Sequence, residues 1–281
     1  MIADLIELAG GPFQVADVGA AFFGEAPPYQ PLMDQGLCRL YAFEPDVREV
    51  GALREHLGAS ATVLPFALGD GLEHDLYVCP KGLGMSSLHE PDPTTLGFFN
   101  LFPEWGRVES IERIATRRLD DVSEVPSIDF LKMDVQGSEL SILTHGRKKL
   151  ARCVALQTEI SFITLYKNQP AFGEIDQELR RQGLIPHRFT NVKCWSISPT
   201  IRAGQPRYPF NQLLEGDIVY IRDIIHPEGM DDSQIAKLAV IAHSVYQSPD
   251  LAARCVLELQ RRKVVDSGTL VKYYELLAQP A

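Results

Sequence analysis

Four acidic residues, Asp17, Glu44, Asp134 and Glu159, stand at or near the ends of apolar runs, a placement that would bring their carboxylates to one cleft. The runs are Val15-Ala16-Asp17-Val18-Gly19-Ala20, Leu40-Tyr41-Ala42-Phe43-Glu44-Pro45, Ile128 through Asp134 and Cys153 through Glu159. An apolar run that stops at a polar side chain is the pattern of a buried parallel strand reaching the carboxyl edge of its sheet, where open α/β sheets bind ligands. Glu44 follows Gly19 by 25 positions. A carboxylate at that distance from a glycine-containing turn is placed to accept both ribose hydroxyls of a nucleoside, or, more blandly, to face solvent as a helix N-cap ahead of Pro45. Nicotinamide cofactors and S-adenosylmethionine both present that ribose, so the spacing names a nucleoside and not a reaction. After Gly19 the chain reads Ala20-Ala21-Phe22-Phe23-Gly24. The G-x-G-x-x-G cradle for a pyrophosphate is missing there, which argues against a dinucleotide.

Asp17, Gly19 and Ala20 are expected beside the methionine part of a sulfonium cofactor, with Asp17 answering its ammonium group and Gly19 letting the backbone come close. Pro65-Phe66-Ala67-Leu68-Gly69-Asp70 is expected to set Ala67 and Leu68 against an adenine ring and Asp70 near its exocyclic amine, with an ordinary turn as the alternative. In Lys132-Met133-Asp134-Val135-Gln136-Gly137-Ser138-Glu139, Asp134 projects into the cleft and Gly137 permits a sharp turn, while Ser138 and Glu139 suit a helix start whatever the function. Glu159 is expected to hold an acceptor hydroxyl or take its proton. The candidate bases are, in order, Asp134, Glu159 and His145. None of the seven histidines has metal-ligand spacing, so no metal site is expected. His145 and His187 are candidates by position alone. No G-x-S-x-G nucleophile elbow occurs.

Positioning these groups requires a strand-helix-strand rhythm, and the chain has one. Strands are expected at 15–20, 39–43, 62–67, 128–134 and 153–159, with helices at 46–57, 138–150 and 173–182. Strands at 194–198 and 217–222, joined by the Pro-rich loop 199–212, are expected to form an antiparallel hairpin that closes the sheet. The rhythm breaks between about 70 and 120, where extended pieces near 75–79 and 108–116 flank a Gly- and Pro-rich loop, 80–106. Phe98, Phe99, Phe102 and Trp105 in that loop are expected either to stack on an acceptor or to pack the loop, and Arg202, Arg207 and Tyr208 to recognise a polar one. The tail turns to amphipathic helices at 233–246, 251–262 and 270–277. The expected organisation is therefore a Rossmann-like α/β domain, 1–228, and a C-terminal helical extension, 229–281, for packing or homodimer formation.

The 281 residues, 45% hydrophobic and 23% charged, suit an ordinary globular core. A net charge of -10 repels phosphate backbones, so nucleic acid is not an expected partner and a small-molecule or glycan acceptor is. Five scattered cysteines with no C-x-x-C pair read as free thiols in a reducing cytoplasm. No stretch approaches the roughly 20 apolar residues of a membrane span, and no leader is evident.

Taken together, these residues resemble the FkbM family of S-adenosylmethionine-dependent methyltransferases. The matching segments are Asp17-Val18-Gly19-Ala20, Phe43-Glu44-Pro45-Asp46, Ala67-Leu68-Gly69-Asp70, Ser86-Ser87-Leu88, Arg118-Leu119-Asp120-Asp121, Ile128 through Glu139, and Leu213-Leu214-Glu215-Gly216-Asp217. The resemblance spans roughly residues 12 to 222. It implies a class I methyltransferase sheet, S-adenosylmethionine as cofactor and O-methylation of a sugar, glycan or natural-product hydroxyl. By motif position it gives Asp17, Gly19, Glu44, Leu68 and Asp134 a place in the cofactor cleft. The family usually continues Asp-x-Gly-Ala with Asn and Gly; here Ala21-Phe22-Phe23 come before Gly24. That departure keeps a non-catalytic scaffold in view as a rival, beside a less favoured nicotinamide-dependent oxidoreductase.

Overall fold

The computed structural model describes residues 2–21 and 26–278. The chain runs α1 (Ile2–Leu8), β1 (Phe13–Val18), α2 (Gln30–Asp34), β2 (Cys38–Phe43), α3 (Val47–Leu57), β3 (Ala61–Leu64), β4 (Ala67–Leu68) and β5 (Glu73–Val78). It continues α4 (Pro93–Phe98), α5 (Phe102–Trp105), β6 (Ser110–Arg117), β7 (Phe130–Met133), α6 (Glu139–Thr144), α7 (Arg147–Leu150), β8 (Ala155–Ser161) and α8 (Phe172–Arg181). The last elements are β9 (Leu184–Trp195), β10 (Gln212–Arg222), α9 (Asp232–Ser244), α10 (Pro249–Arg261) and α11 (Thr269–Leu277).

Seven strands form one sheet in the order β3-β2-β1-β7-β8-β10-β9. Strand β10 is antiparallel to both neighbours, so the other six run the same way. This is the mostly parallel, Rossmann-like sheet with an antiparallel closing strand that the sequence predicts. A second, three-stranded sheet, β4-β6-β5, carries the irregular region.

Side chains alternate along each strand, as the pleat requires, and feed two separate cores. Val15, Phe130, Ala155, Val219 and Ile221 face α1, α9 and α10. Ala16, Leu131, Leu156, Ile218 and Tyr220 face the helices that carry Ile142, Leu143, Ile175 and Leu179. Helix α9 is apolar nearly all round, with Ile235, Leu238, Ala239, Val240 and Ile241 buried, because the sheet lies on one side and α1 and α10 on the others. Its one lysine, the half-buried Lys237, donates to both oxygens of the buried Asp129 at 2.8 and 2.9 Å, and Asp129 also accepts from Gln14 N at 2.8 Å.

Several elements depart from the expected boundaries: the strand expected over 62–67 divides into β3 of the large sheet and β4 of the small one, and β10 begins five residues before its expected start. The helix expected over 138–150 is broken into α6 and α7 at Gly146, where a Cβ would sit 2.6 Å from Leu119 Cδ2 and 2.9 Å from Ile142 O. The loop 80–106 contains α4 and α5; Asp92 caps α4 by accepting from Thr94 N at 3.0 Å, with Pro93 in its first turn. Strand β9 begins ten residues before its expected start. Its polar residues and Pro186 mask it in the sequence, and all are tolerated because β9 is a sheet edge.

The Lys237→Met variant strands a buried carboxylate, and its equilibrium stability should fall by about 3 kcal/mol or more. Adding Asp129→Asn should recover most of that loss, because the amide oxygen still accepts from Gln14. Urea unfolding of the single and double variants checks both.

Candidate functional site

The sheet order sets β2, β1, β7 and β8 side by side, with Val18 opposite Phe43 and Met133, and Met133 opposite Thr158. Glu44, Gly19, Asp134 and Glu159 are each the next residue beyond one of these levels. They therefore line a single carboxyl edge, joined laterally by Gly19 N to Phe43 O at 3.1 Å and Asp134 N to Val18 O at 3.0 Å. At the centre the two chains almost touch. Gly19 has φ +78°, and a Cβ on it would stand 1.8 Å from the Asp134 carbonyl oxygen. No side chain fits there, so glycine is required by the β7 backbone whether or not a ligand approaches.

Asp17 is buried beneath this turn. Its Oδ2 accepts from Tyr29 Oη at 2.6 Å, and Lys132 Nζ lies 3.1 Å from Oδ1. That ion pair gives the buried Oδ1 a charged partner. Burial raises the Asp17 carboxyl, against the opposing effects of Lys132 and Tyr29. Lys132 also donates to Gly19 O at 3.2 Å, bracing the turn from below. Glu44 is likewise buried and is raised by burial to about 7, although its Oε1 accepts from Asp46 N at 2.8 Å.

On the other side, one amide joins two carboxylates. Gln136 Nε2 donates to Asp134 Oδ1 at 2.9 Å and to Glu159 Oε2 at 2.8 Å. Glu159 is held well above the ordinary carboxylate range by burial and then by the charges of Asp134, Glu215 and Glu139, with Lys193 opposing them. Lys193 Nζ lies 4.0 Å from Glu159 and 2.6 Å from Glu215. Asp217, opposite Glu159 in the β10–β8 register, is also raised by burial. Glu139 wraps the loop by accepting from Val135 N at 3.1 Å, and burial raises it to about 7. The edge thus offers two buried carboxylates, Asp17 and Glu44, on the β1–β2 side and a second group of carboxylates, interleaved with lysine, toward β10.

Residues 17–185 match the family described as the Methyltransferase FkbM domain. The chain belongs to the FkbM methyltransferase family. The cofactor that this family and fold call for is S-adenosylmethionine. This FkbM-family chain is 29% identical over 151 residues to the 2-O-methyltransferase NoeI of Sinorhizobium fredii, a match covering 47% of the chain and 57% of that relative. The match thus spans little more than half the relative's length. Among solved structures it is similar to the precorrin-6y C5,15-methyltransferase of Geobacter metallireducens (12% identity, TM-score 0.38, 79% of this chain and 88% of that one). It is similar also to the magnesium protoporphyrin IX methyltransferase of Synechocystis (12% identity, TM-score 0.38, 79% and 76%).

Within the FkbM-family chain, the structure brings Asp17, Gly19, Ala20, Glu44, Pro45 and Asp134 to one edge and adds Glu159 beside them. Ala67 and Leu68 form β4 next to β6, both buried. Asp70 is spent on its own turn: it accepts from Leu72 N at 2.9 Å and Thr116 Oγ1 at 3.3 Å, and pairs with His74 Nε2 at 2.8 Å. Burial raises the Asp70 carboxyl, but these partners outweigh it and hold it low. His145 is not brought to the cluster. It ends α6, its Nδ1 2.8 Å from Ser141 O, because the helix that starts at the cleft carries it away from the sheet edge. His187 faces Ser248 of the tail at 3.1 Å.

Of the loop aromatics, Phe99 and Phe102 are buried with Met85, Leu165 and Tyr166, and Phe102 meets Trp195 edge-on, so they pack the loop; Phe98 is exposed. Arg202 and Arg207 lie over the rings of Tyr208 and Trp105. The altered segment Phe22-Phe23-Gly24-Glu25 lies outside the described residues. No His/Cys/Asp/Glu cluster among the described residues suits a metal. A groove lined by Tyr77, Pro91, Leu96, Val108 and Ile111 shares no residue with this edge. Tyr29, Tyr166 and Lys193 were missed from the sequence, while Lys132, Gln136, Glu215 and Asp217 stood in the matching segments but were given no role. For Glu215 and Asp217 a signal existed: alternate positions at the start of an antiparallel strand share a face at the same sheet edge.

Glu44 keeps its proton to about pH 7 when folded and loses it near 4.5 when unfolded, so its contribution makes folding less favourable as pH rises between those values. In Glu44→Gln that contribution disappears. Thermal melts of the ligand-free protein should show the variant gaining on the wild type from pH 5 to pH 8.

Proposed function

We propose that this chain is an S-adenosylmethionine-dependent methyltransferase acting on a hydroxyl oxygen of a sugar, glycan or natural-product acceptor. The observation that carries the reading is the order of groups along one sheet edge: Glu44 and Gly19 on the nucleoside side, Asp134 at the centre, and Glu159 beyond it. The buried Asp17 carboxylate, with Lys132 on its Oδ1 and Tyr29 on its Oδ2, is placed to answer the cofactor's ammonium directly or through water, and Glu44 fits its ribose hydroxyls. When bound, the cofactor supplies an electrophilic methyl group.

The protein's own contribution is then to hold an acceptor oxygen in line and remove its proton. Positioning alone supplies effective molarities of roughly 10⁵ M or more in favourable cases. A placed base adds about 10²- to 10⁴-fold. Glu159 suits that role because its raised affinity for a proton makes it a better acceptor than an ordinary carboxylate. Asp134 orients beside it. The described helices contain none long and apolar enough to cross a membrane. The charge of -10 supports an acceptor other than nucleic acid, and the unpaired cysteines support a cytoplasmic setting. In this reading residues 1–228 carry the reaction and 229–281 brace the sheet, with exposed Val271 and Tyr274 on α11 available to a second copy.

Calorimetric titration should show S-adenosylmethionine and S-adenosylhomocysteine binding in the micromolar range, and Glu44→Ala should abolish it. Glu159→Gln should keep that affinity and, against a panel of methyl glycosides, lose about 10²-fold or more in turnover. A folded wild type that binds neither ligand would overturn the proposal.

A further inference from the structure

Gln136 sits in the left-handed region with φ 55°, a conformation that only surrounding contacts can impose on a residue of its kind. Those contacts come from three separate segments. Its backbone carbonyl accepts from Ser87 Oγ at 2.6 Å. Its side-chain oxygen lies 3.1 Å from Tyr166 Oη. Its two amide protons are divided between Asp134 and Glu159. Ser87 belongs to the irregular region and Tyr166 to the loop after β8, both on the wall that an acceptor would meet.

The two carboxylates favour the observed orientation of the amide, because turned over it would set its oxygen against both of them. We propose that Gln136 is a positioning residue, which holds Asp134 and Glu159 as a fixed pair of acceptors and ties that pair, through Tyr166 and Ser87, to the acceptor-side wall. This rests on reading Glu159 as the acceptor-side base.

The groups that face Glu159 are Asp134 and Glu139 from the β7–α6 segment, Lys193 on β9, Glu215 and Asp217 on β10, and Tyr166. Among them the Gln136 amide is the uncharged donor aimed at it, and a donor favours the charged form. Removing that donor raises the proton affinity of Glu159. A loosened loop that left the donor in place would not.

The test is carbon-13 NMR titration of the Glu159 side-chain carboxyl in glutamate-labelled protein, with the signal assigned from Glu159→Gln. Gln136→Asn is the first variant: asparagine tolerates positive φ and keeps an amide, but is one methylene short of β8. Tyr166→Phe is the second, and removes the hydroxyl that fixes the amide. The Glu159 midpoint should rise by about one pH unit in Gln136→Asn and by less in Tyr166→Phe. An unchanged midpoint in both overturns the proposal, as does a rise in Tyr166→Phe larger than in Gln136→Asn. The titration needs neither cofactor nor acceptor. Absence of S-adenosylhomocysteine binding by the wild type would therefore count against the methyltransferase reading, while the midpoints alone decide the role of Gln136.

Discussion

The crossing of the β1 and β7 strand ends constrains everything built around it. A Cβ at Gly19 would stand 1.8 Å from the Asp134 carbonyl, so the two backbones are in direct contact and the residues on either side inherit their places from that contact. Glu44 is set by Gly19 and Ala20 donating to Phe43 O. Asp134 is set by its own donation to Val18 O. Lys132 reaches from β7 under the turn to Gly19 O and Asp17, so one cation holds the floor of the β1 side. A substitution at this crossing would disturb both halves of the cleft together.

Around the crossing the chain keeps carboxylates where water would otherwise stabilise their charge. Glu44, Glu139 and Glu159 are all raised by burial, and two lysines offset only part of the negative charge. Such an arrangement costs stability, and backbone and amide donors limit the cost: Asp46 N for Glu44, Val135 N for Glu139 and Gln136 for Glu159. Each donor comes from a loop rather than a strand. The loops after β2 and β7 are therefore held in shape by the same carboxylates they shield.

What could be read in advance follows from range. Gly19, Glu44, Asp134 and Glu159 were legible because a buried strand announces its end locally, by the stop of an apolar run. The hairpin that closes the sheet was legible for the same reason. The fate of Asp70 was not, since Thr116, 46 positions away, becomes its partner only once β4 lies beside β6. The pairing of Lys193 with Glu215 depends on the register across the long β9–β10 loop, which no local pattern encodes. The helical period through 138–150 was real, yet Leu119 packs against Gly146 and breaks it.

Asp129 joins Gln14 in the first strand, 115 positions away, to Lys237 in α9, 108 positions away. One buried carboxylate thus links the beginning, middle and end of the chain. On a ribosome, the sheet face bearing Val15, Phe130 and Val219 has only α1 and α2 to cover part of it until α9 and α10 have emerged. During synthesis the long middle of this protein must wait with an apolar face open, a period in which shielding by chaperones matters more than for a fold whose covering helices come first.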